Sequence, residues 1–456
     1  MGILTDKLID LTETLADPET LQLLCQTPSS ALGSCRMKLS DWEESTFEYD
    51  KILGIFRKYD IGYFVYIGGN DSMDTVHKLA GFCERMRIDD VKIIGAPKTI
   101  DNDLMETDHC PGFGSAAKYV AATMSEIACD CNVYAQPSIT IVEIMGRDAG
   151  WLTASSALGR LNGDSAPDLI YLCERPFLVD RFLEDVREKM AEKHSIVIAV
   201  SEGLRNEEGD YVTDSLQNRA ADAFGHKILA GAARYLEEIL RFEIGCKVRS
   251  IELNVMQRCA SHVASASDIY ESRLIGAAAA DYAISGGTGK MACIRRTSAQ
   301  PYRFGIDFVD IGQIANHVKT VPDEWINEAG NDVTEEMLTY LLPLIQANCP
   351  VPIKRCSRHI CICIKYLQAM FAHGFFYCGI NSNICVHTPS KEVIQCEKQQ
   401  SLQLCSAFWF ACWQGITQPF GEGSSIRQKR RHMPFWKKKA DSCRNENRLS
   451  IFLYAG

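Results

Sequence analysis

Two loops hold the residue types of this chain best suited to chemistry. Gly68-Gly69-Asn70-Asp71-Ser72 and Pro97-Lys98-Thr99-Ile100-Asp101-Asn102-Asp103 each follow a short apolar run. A diglycine lets backbone approach a ligand without Cβ obstruction. A helix starting there would aim its free N–H groups at phosphate oxygens. Asn70 can offer an amide oxygen to Mg²⁺, directly or through water, while Asp71 and Ser72 are also ordinary helix-capping types. In the second loop Asp101 and Asp103 stand two apart, with Lys98 three residues before Asp101. A held carboxylate can take the proton of a hydroxyl as its oxygen attacks phosphorus. A neighbouring lysine can neutralise charge building on the transferred group. The plain alternative is a polar turn of Asx type at Asp101 or Asn102. The chemistry these loops point to is phosphoryl transfer.

Further polar loops follow other apolar runs. Met145-Gly146-Arg147 would meet a sugar or phosphate with its guanidinium, and Ser201-Glu202-Gly203 would offer a carboxylate to sugar hydroxyls. Arg249 and Arg258 flank a strand end, where they could clamp phosphate bidentately. Pro111-Gly112-Phe113-Gly114-Ser115 reads as a helix start that could also present N–H groups to an anion. Each alone has a bland reading as a salt bridge or helix cap; their shared place at strand ends favours a site.

The elements that must position them alternate. Strand-like runs at Ile61–Ile67, Val91–Ala96, Ile139–Ile144, Asp168–Leu172, Ser195–Val200, Lys247–Leu253 and Lys290–Arg295 are interleaved with helical stretches. The helical stretches are Ser72–Arg87, Gly114–Cys129, Ala149–Leu161, Phe182–Lys193, Arg219–Leu240 and Ile269–Ile284. That order predicts an α/β fold with parallel sheets covered by helices on both faces. Ligands in such folds sit beyond the carboxyl ends of the strands, where these loops lie.

Composition sets limits. The 456 residues suit two domains, and 46% hydrophobic with 23% charged residues suits a soluble globular chain. No apolar run reaches a membrane span, and the start Met1-Gly2-Ile3-Leu4-Thr5-Asp6-Lys7 lacks a signal-peptide layout. The net charge of −10 divides unevenly: residues 1–350 carry 33 basic and 53 acidic side chains, residues 351–456 carry 15 and 5. An acidic body argues against nucleic acid as partner. Eleven of the 20 cysteines are scattered through the body and read as buried thiols of a reducing compartment, the cytoplasm. Cys129-Asp130-Cys131 and Cys361-Ile362-Cys363 lack zinc spacing. The basic, cysteine-rich segment after about residue 353, with Ser425–Arg431 and Trp436-Lys437-Lys438-Lys439, sustains neither helix nor strand period and reads as a stretch foreign to the ancestral fold.

Taken as a set, GGNDS, PKTIDND, PGFGSAAKY, EIMGRDAGW, SEG and VRSIELNVMQR, in that order, resemble the phosphofructokinases, over about residues 5 to 350. Ser30-Ala31-Leu32-Gly33-Ser34-Cys35-Arg36 resembles the branch containing many pyrophosphate-dependent enzymes. The resemblance implies two Rossmann-like parallel-sheet domains with the site between them. Residues 1–135 would form a donor-binding domain, residues 136–350 the sugar-phosphate region with the chain crossing between lobes, and residues 351–456 an atypical tail. It implies transfer from pyrophosphate to the 1-hydroxyl of fructose 6-phosphate, a glycolytic step, with Mg²⁺ as cofactor. Asp101 would be the base, with Lys98 and Asp71 beside it. Thr99, Ile100, Met145, Gly146, Arg147, Glu202 and Arg258 would bind the sugar phosphate. Arg249 would reach phosphate across an interface of a homo-oligomer, dimer or tetramer. Gly68, Gly69, Asp71, Lys98 and Arg36 would hold the donor, and Asn70 and Asp103 the metal, Asn70 standing where the family usually has an Asp. The position of Asp71 is typically Gly in ATP-using relatives; Asp adds bulk and negative charge where the nucleotide's α-phosphate would lie.

Two departures are expected to matter. The first strand, glycine-rich loop and helix of the family would precede Gly2-Ile3, leaving a gap in the first sheet with unpaired edges. The tail replaces a short family terminus. Two other readings therefore stand beside the first: an ATP-dependent 6-phosphofructokinase, and a non-catalytic phosphofructokinase-like subunit or fragment that binds sugar phosphate.

Overall fold

The computed structural model describes residues 3–6, 8–12, 17–24, 27–34, 37–162, 166–213 and 231–348, with four later strands at 375–380, 385–387, 393–395 and 449–455. The strands in chain order are β1 (Leu8–Asp10), β2 (Tyr63–Gly68), β3 (Lys92–Pro97), β4 (Ser138–Ile144), β5 (Leu169–Tyr171), β6 (Ser195–Ser201), β7 (Lys247–Glu252), β8 (Lys290–Ala299), β9 (Tyr302–Asp310), β10 (Phe375–Ile380), β11 (Cys385–His387), β12 (Val393–Gln395) and β13 (Leu449–Ala455). The α-helices are α1 (Pro18–Leu24), α2 (Phe47–Tyr59), α3 (Asn70–Arg85), α4 (Phe113–Asn132), α5 (Trp151–Ala154), α6 (Val179–Glu192), α7 (Ala232–Glu243), α8 (Ala266–Ile284) and α9 (Glu335–Leu341).

Two main sheets organise the chain. The second, ordered β5-β6-β4-β7, is parallel throughout. The first, ordered β1-β10-β13-β2-β3-β8-β9, is mixed. Its centre, β13-β2-β3-β8, is parallel, whereas β8 and β9 form an antiparallel hairpin at one edge and β10 runs antiparallel to β13. The all-parallel expectation is thus corrected for this sheet. A hairpin needs only a short turn, and Tyr302–Asp310 supplies an alternating partner along the whole of β8. The expected gap beside β2 is corrected too: β13 occupies it, in register from Tyr63↔Ile451 to Ile67↔Ala455. The tail likewise contains strands where irregular chain was expected. The helix expected at Arg219–Leu240 lies partly outside the described residues; its described end is α7.

Packing follows the apolar spacing. On α3 the buried residues Met73, Val76, Leu79, Phe82 and Cys83 recur at helical spacing and meet Tyr49 and Phe56 of α2 and Ile93 of β3. Each fully buried side chain of this size contributes about 1.5–3 kcal/mol relative to exposure. Small Ala279 and Ala283 let α8 lie against Val65, Ile94 and Ala292 on the other face. Helix α4 precedes β4 in sequence but packs with the second sheet, where Val120 and Met124 join Val142, Ile144 and Trp151. The chain returns to the first sheet at β8.

Register places the loops. Gly68 pairs with Pro97 at the ends of β2 and β3, so the two phosphate-type loops leave one edge side by side. Ile144 pairs with Ser201 and Glu143 with Glu252, so three more loops leave the matching edge of the second sheet.

Candidate active site

The first two loops touch. Lys98 N–H donates to Gly68 C=O at 2.9 Å. A Cβ on Gly69 would lie 3.6 Å from Thr99 Cβ. Asn70 and Asp71 open α3, whose N-terminus carries no side-chain cap. In the second loop Asp101 N–H donates to Thr99 Oγ1 at 3.1 Å. Asn102, fully buried with φ +58°, turns the chain between the two aspartates. Its Oδ1 accepts from Cys110 N–H at 2.9 Å, and its Nδ2 donates to the Tyr340 hydroxyl at 2.9 Å. An Asn suits such a left-handed turn because its short amide can satisfy the local backbone.

The loops of the second sheet are brought together by missing side chains. Gly146 has φ +136°, and Gly203 lies so close that a Cβ there would sit 2.0 Å from Arg147 O. Gly146 N–H donates to Glu202 Oε1 at 3.3 Å. Met145 N–H donates to Gln257 Oε1 at 3.1 Å, tying this loop to the turn that carries Arg258.

Electrostatics join the two sets. Burial raises the Asp101 pKa, opposed first by Lys98, then by Arg147, the Thr99 hydroxyl and Arg258. Asp103 is pushed up to about 7 by burial and by the Asp101 charge, against the pull of Lys319. The charge on Asp101 thus disfavours ionisation of Asp103. Glu202 is pushed up to about 7 by burial, with Asp101 and Glu143 adding to it and Arg147 opposing. So Lys98, Asp101, Asp103, Arg147, Glu202 and Arg258 share one electrostatic neighbourhood, made from both sheets.

Other predicted residues lie elsewhere. Arg249 pairs in register with Thr140, near the opposite ends of the strands, and its guanidinium binds Asp130 at 3.1 Å. Arg36 lies outside the described residues. Asn70 has its side chain engaged, accepting from Asn316 N–H at 2.9 Å and donating to His317 C=O at 2.6 Å. The N–H groups of Gly112 and Ser115, which read as a helix start that could meet an anion, are taken by the Asp268 carboxylate at 2.8 and 3.1 Å. The plain helix-start reading holds, since α8 brings its own anion to the start of α4.

A divalent cation fits the donor set. Asp103 Oδ1 is buried with no hydrogen-bond partner, beside Asp101. Mg²⁺ is commonly held by one or two carboxylates together with substrate phosphates. Among the described residues no cluster of three or more His, Cys, Asp or Glu would hold a metal unaided. Arg147 Nε is likewise buried without a partner, as suits a group awaiting an anion.

Sequence reading passed over Gln257, Glu143 and Lys319. Glu143 accepts from Ala233 N–H at 2.9 Å and fixes the start of α7 beside the Met145–Arg147 loop. Gln257 and Glu143 lie inside quoted motifs, so proximity in sequence was the available signal. Lys319 had none.

A lysine and paired carboxylates on parallel-strand loops, facing an arginine- and glutamate-bearing edge, define an α/β phosphotransferase. A family model described as Phosphofructokinase matches residues 2–283. A pyrophosphate–fructose 6-phosphate 1-phosphotransferase of Xanthomonas campestris pv. campestris is 38% identical over 353 residues, 77% of this chain and 83% of that protein. One from Methylococcus capsulatus is 38% identical over 76% of this chain and 81% of its own length. The crystal structure of a pyrophosphate-dependent phosphofructokinase from Marinobacter aquaeolei superposes with a TM-score of 0.66 at 34% identity, covering 77% of this chain and 82% of that one. This chain belongs to the phosphofructokinase family.

Proposed function

We propose that this chain transfers a phosphoryl group from pyrophosphate to the 1-hydroxyl of fructose 6-phosphate, giving fructose 1,6-bisphosphate and phosphate. The observation that carries the reading is Asp101 on the loop after β3, its charge favoured by Lys98 of its own loop and by Arg147 and Arg258 from loops of the second sheet. Asp101 takes the proton of the 1-hydroxyl as that oxygen bonds to phosphorus and the bridging P–O bond of pyrophosphate breaks. Burial raises its pKa toward the operating range of a general base. Lys98 stabilises the negative charge gathering on the phosphoryl oxygens. Thr99 and Ile100 line the sugar, Met145 and Gly146 shape its seat, Arg147 meets phosphate, Glu202 accepts sugar hydroxyls and Arg258 clamps the 6-phosphate.

Asp103 would hold Mg²⁺, which supplies charge neutralisation on the donor, and Asn70, its amide engaged by Asn316 and His317, would reach the ion through water. Gly68 and Gly69 admit the donor to the backbone, and Asp71 in the first turn of α3 opposes a nucleotide's α-phosphate. Arg36 joins the donor side. Arg249, inside β7 and away from its carboxyl end, suits a role toward a partner copy in a homodimer or tetramer, and the buried free thiols suit the cytoplasm. Among the described residues no helix is long and apolar enough to cross a membrane.

The test is ³¹P NMR of purified full-length chain with pyrophosphate, Mg²⁺ and fructose 6-phosphate. The reading expects orthophosphate and a new phosphomonoester at C1 in equal amounts. Pyrophosphate consumed without that ester would refute it.

A further inference from the structure

We propose that Lys319 is a positioning residue, the lock that holds the Asp101–Asp103 turn in its working shape; its bearing on turnover rests on the phosphotransferase reading above. Lys319 belongs to a crossing segment, Asn316–Val321, that lies between the two loop sets. At one end Asn316 binds Asn70 by its N–H and Asp74 Oδ1 by its Nδ2 at 2.9 Å each. Val318 then bridges Leu104 in antiparallel fashion. Lys319 N–H donates to Asp103 C=O at 2.8 Å, and Lys319 C=O accepts from Trp151 Nε1 at 2.8 Å. At the far end Val321 N–H donates to Glu174 Oε1 at 2.9 Å, the oxygen that also accepts from Gly150 N–H at 2.7 Å. Six residues thus tie the donor loop, the aspartate loop and the sugar-side lobe together.

The ammonium closes the loop on itself. Lys319 Nζ donates to Thr107 C=O at 3.0 Å, Asp108 C=O at 2.9 Å and Asn102 Oδ1 at 3.4 Å. An ammonium has three donors, and all three are spent on one turn of chain. Its other side faces the Trp151 ring, 5.2 Å from the centroid. Tyr340 works from the opposite side, its hydroxyl donating to Asp108 C=O at 2.7 Å while accepting from Asn102 Nδ2. Among the described residues, Lys319 and Tyr340 are the side chains that reach both its beginning at Asn102 and its end at Asp108. Removing the ammonium leaves the Thr107 carbonyl without its donor and leaves Asp108 C=O and Asn102 Oδ1 with one donor each, from Tyr340 and Cys110, a loss that lets the turn reorganise.

Lys319→Met keeps the stem and deletes the donors. The experiment pairs hydrogen–deuterium exchange of the full chain with steady-state kinetics. Expected are at least tenfold faster exchange across residues 101–110 with α4 and β4 unchanged, and kcat lowered about 10–100-fold with KM for fructose 6-phosphate within threefold, since misplacement by about 1 Å can cost 10² in rate. Tyr340→Phe, which removes the second clasp, should reproduce the pattern more weakly and carries the test if Lys319→Met does not fold. A kcat within twofold of wild type, a KM effect alone, or exchange that rises equally across β2, β3 and β4 would each overturn the proposal. If wild type itself fails to turn over, the proposed reaction is rejected, and local exchange at 101–110 decides the lock by itself.

Discussion

Gly203→Ala adds one methyl group where the structure has no room for it. The new Cβ would lie 2.0 Å from Arg147 O, 2.6 Å from its carbonyl carbon and 2.9 Å from its Cα. Ordinary contact begins near 3.4 Å, so the gap is short by about 1.4 Å, and the obstacle is backbone rather than a flexible side chain. The Ser201–Gly203 and Met145–Arg147 loops must separate, carrying Glu202 and Arg147 apart. A displacement of about 1 Å in a reacting site can cost on the order of 10² in rate. We therefore expect kcat/KM for the sugar phosphate to fall about 100-fold. Thermal unfolding should fall modestly, because Ala199 and Val200 stay buried in the parallel ladder. Steady-state kinetics with varied fructose 6-phosphate, beside a melting curve, reads both. Kinetic constants within twofold of wild type would show that the contact between the two loops does not matter to the site.

Asp101→Ser should lower kcat by roughly 10²–10⁴, the usual contribution of a positioned base, and near-normal turnover would remove Asp101 from that role. Glu202 carries a pKa raised to about 7, so in the free protein it is protonated below that pH and becomes a hydroxyl-accepting carboxylate above it. The ratio of wild-type to Glu202→Gln kcat/KM should therefore climb as pH rises from 6 to 8, and a flat ratio would contradict the assignment. The stability sign runs the other way: a raised carboxyl pKa means stability is lost as pH rises through about 7, and the Gln variant should lose less.

The half of the site that could be read from sequence is the half made by strand ends. Lys98, Asp101, Gly146, Arg147 and Glu202 directly follow apolar runs, and a parallel sheet leaves such residues at one edge. Arg249 illustrates the limit, because a residue inside a strand can belong to either end, and only the register with Thr140 shows which. Lys319 could not be found at all. Its partners Asn102, Thr107 and Asp108 lie more than 200 positions away, and residues 316–321 have no helix or strand period to mark them. The β9 half of the hairpin is hard to see in sequence because Tyr302–Asp310 contains Gly305 and charged Asp307, which interrupt strand alternation. The short α5 and the 3₁₀ segment after it, Ser155–Asn162, are contiguous and buried without a break from Trp151 to Gly159, so residue pattern alone does not separate them into two elements.

The choice of donor turns on Asp71 in the first turn of α3 together with Lys98. The most direct measurement is kcat/KM of the wild-type chain for pyrophosphate and for ATP at saturating fructose 6-phosphate and Mg²⁺, repeated with Asp71→Gly. Like charges brought together cost several kcal/mol, so pyrophosphate should be preferred by at least about 100-fold, and the Gly variant should narrow that gap. Equal use of ATP and pyrophosphate by the wild-type chain would contradict the account.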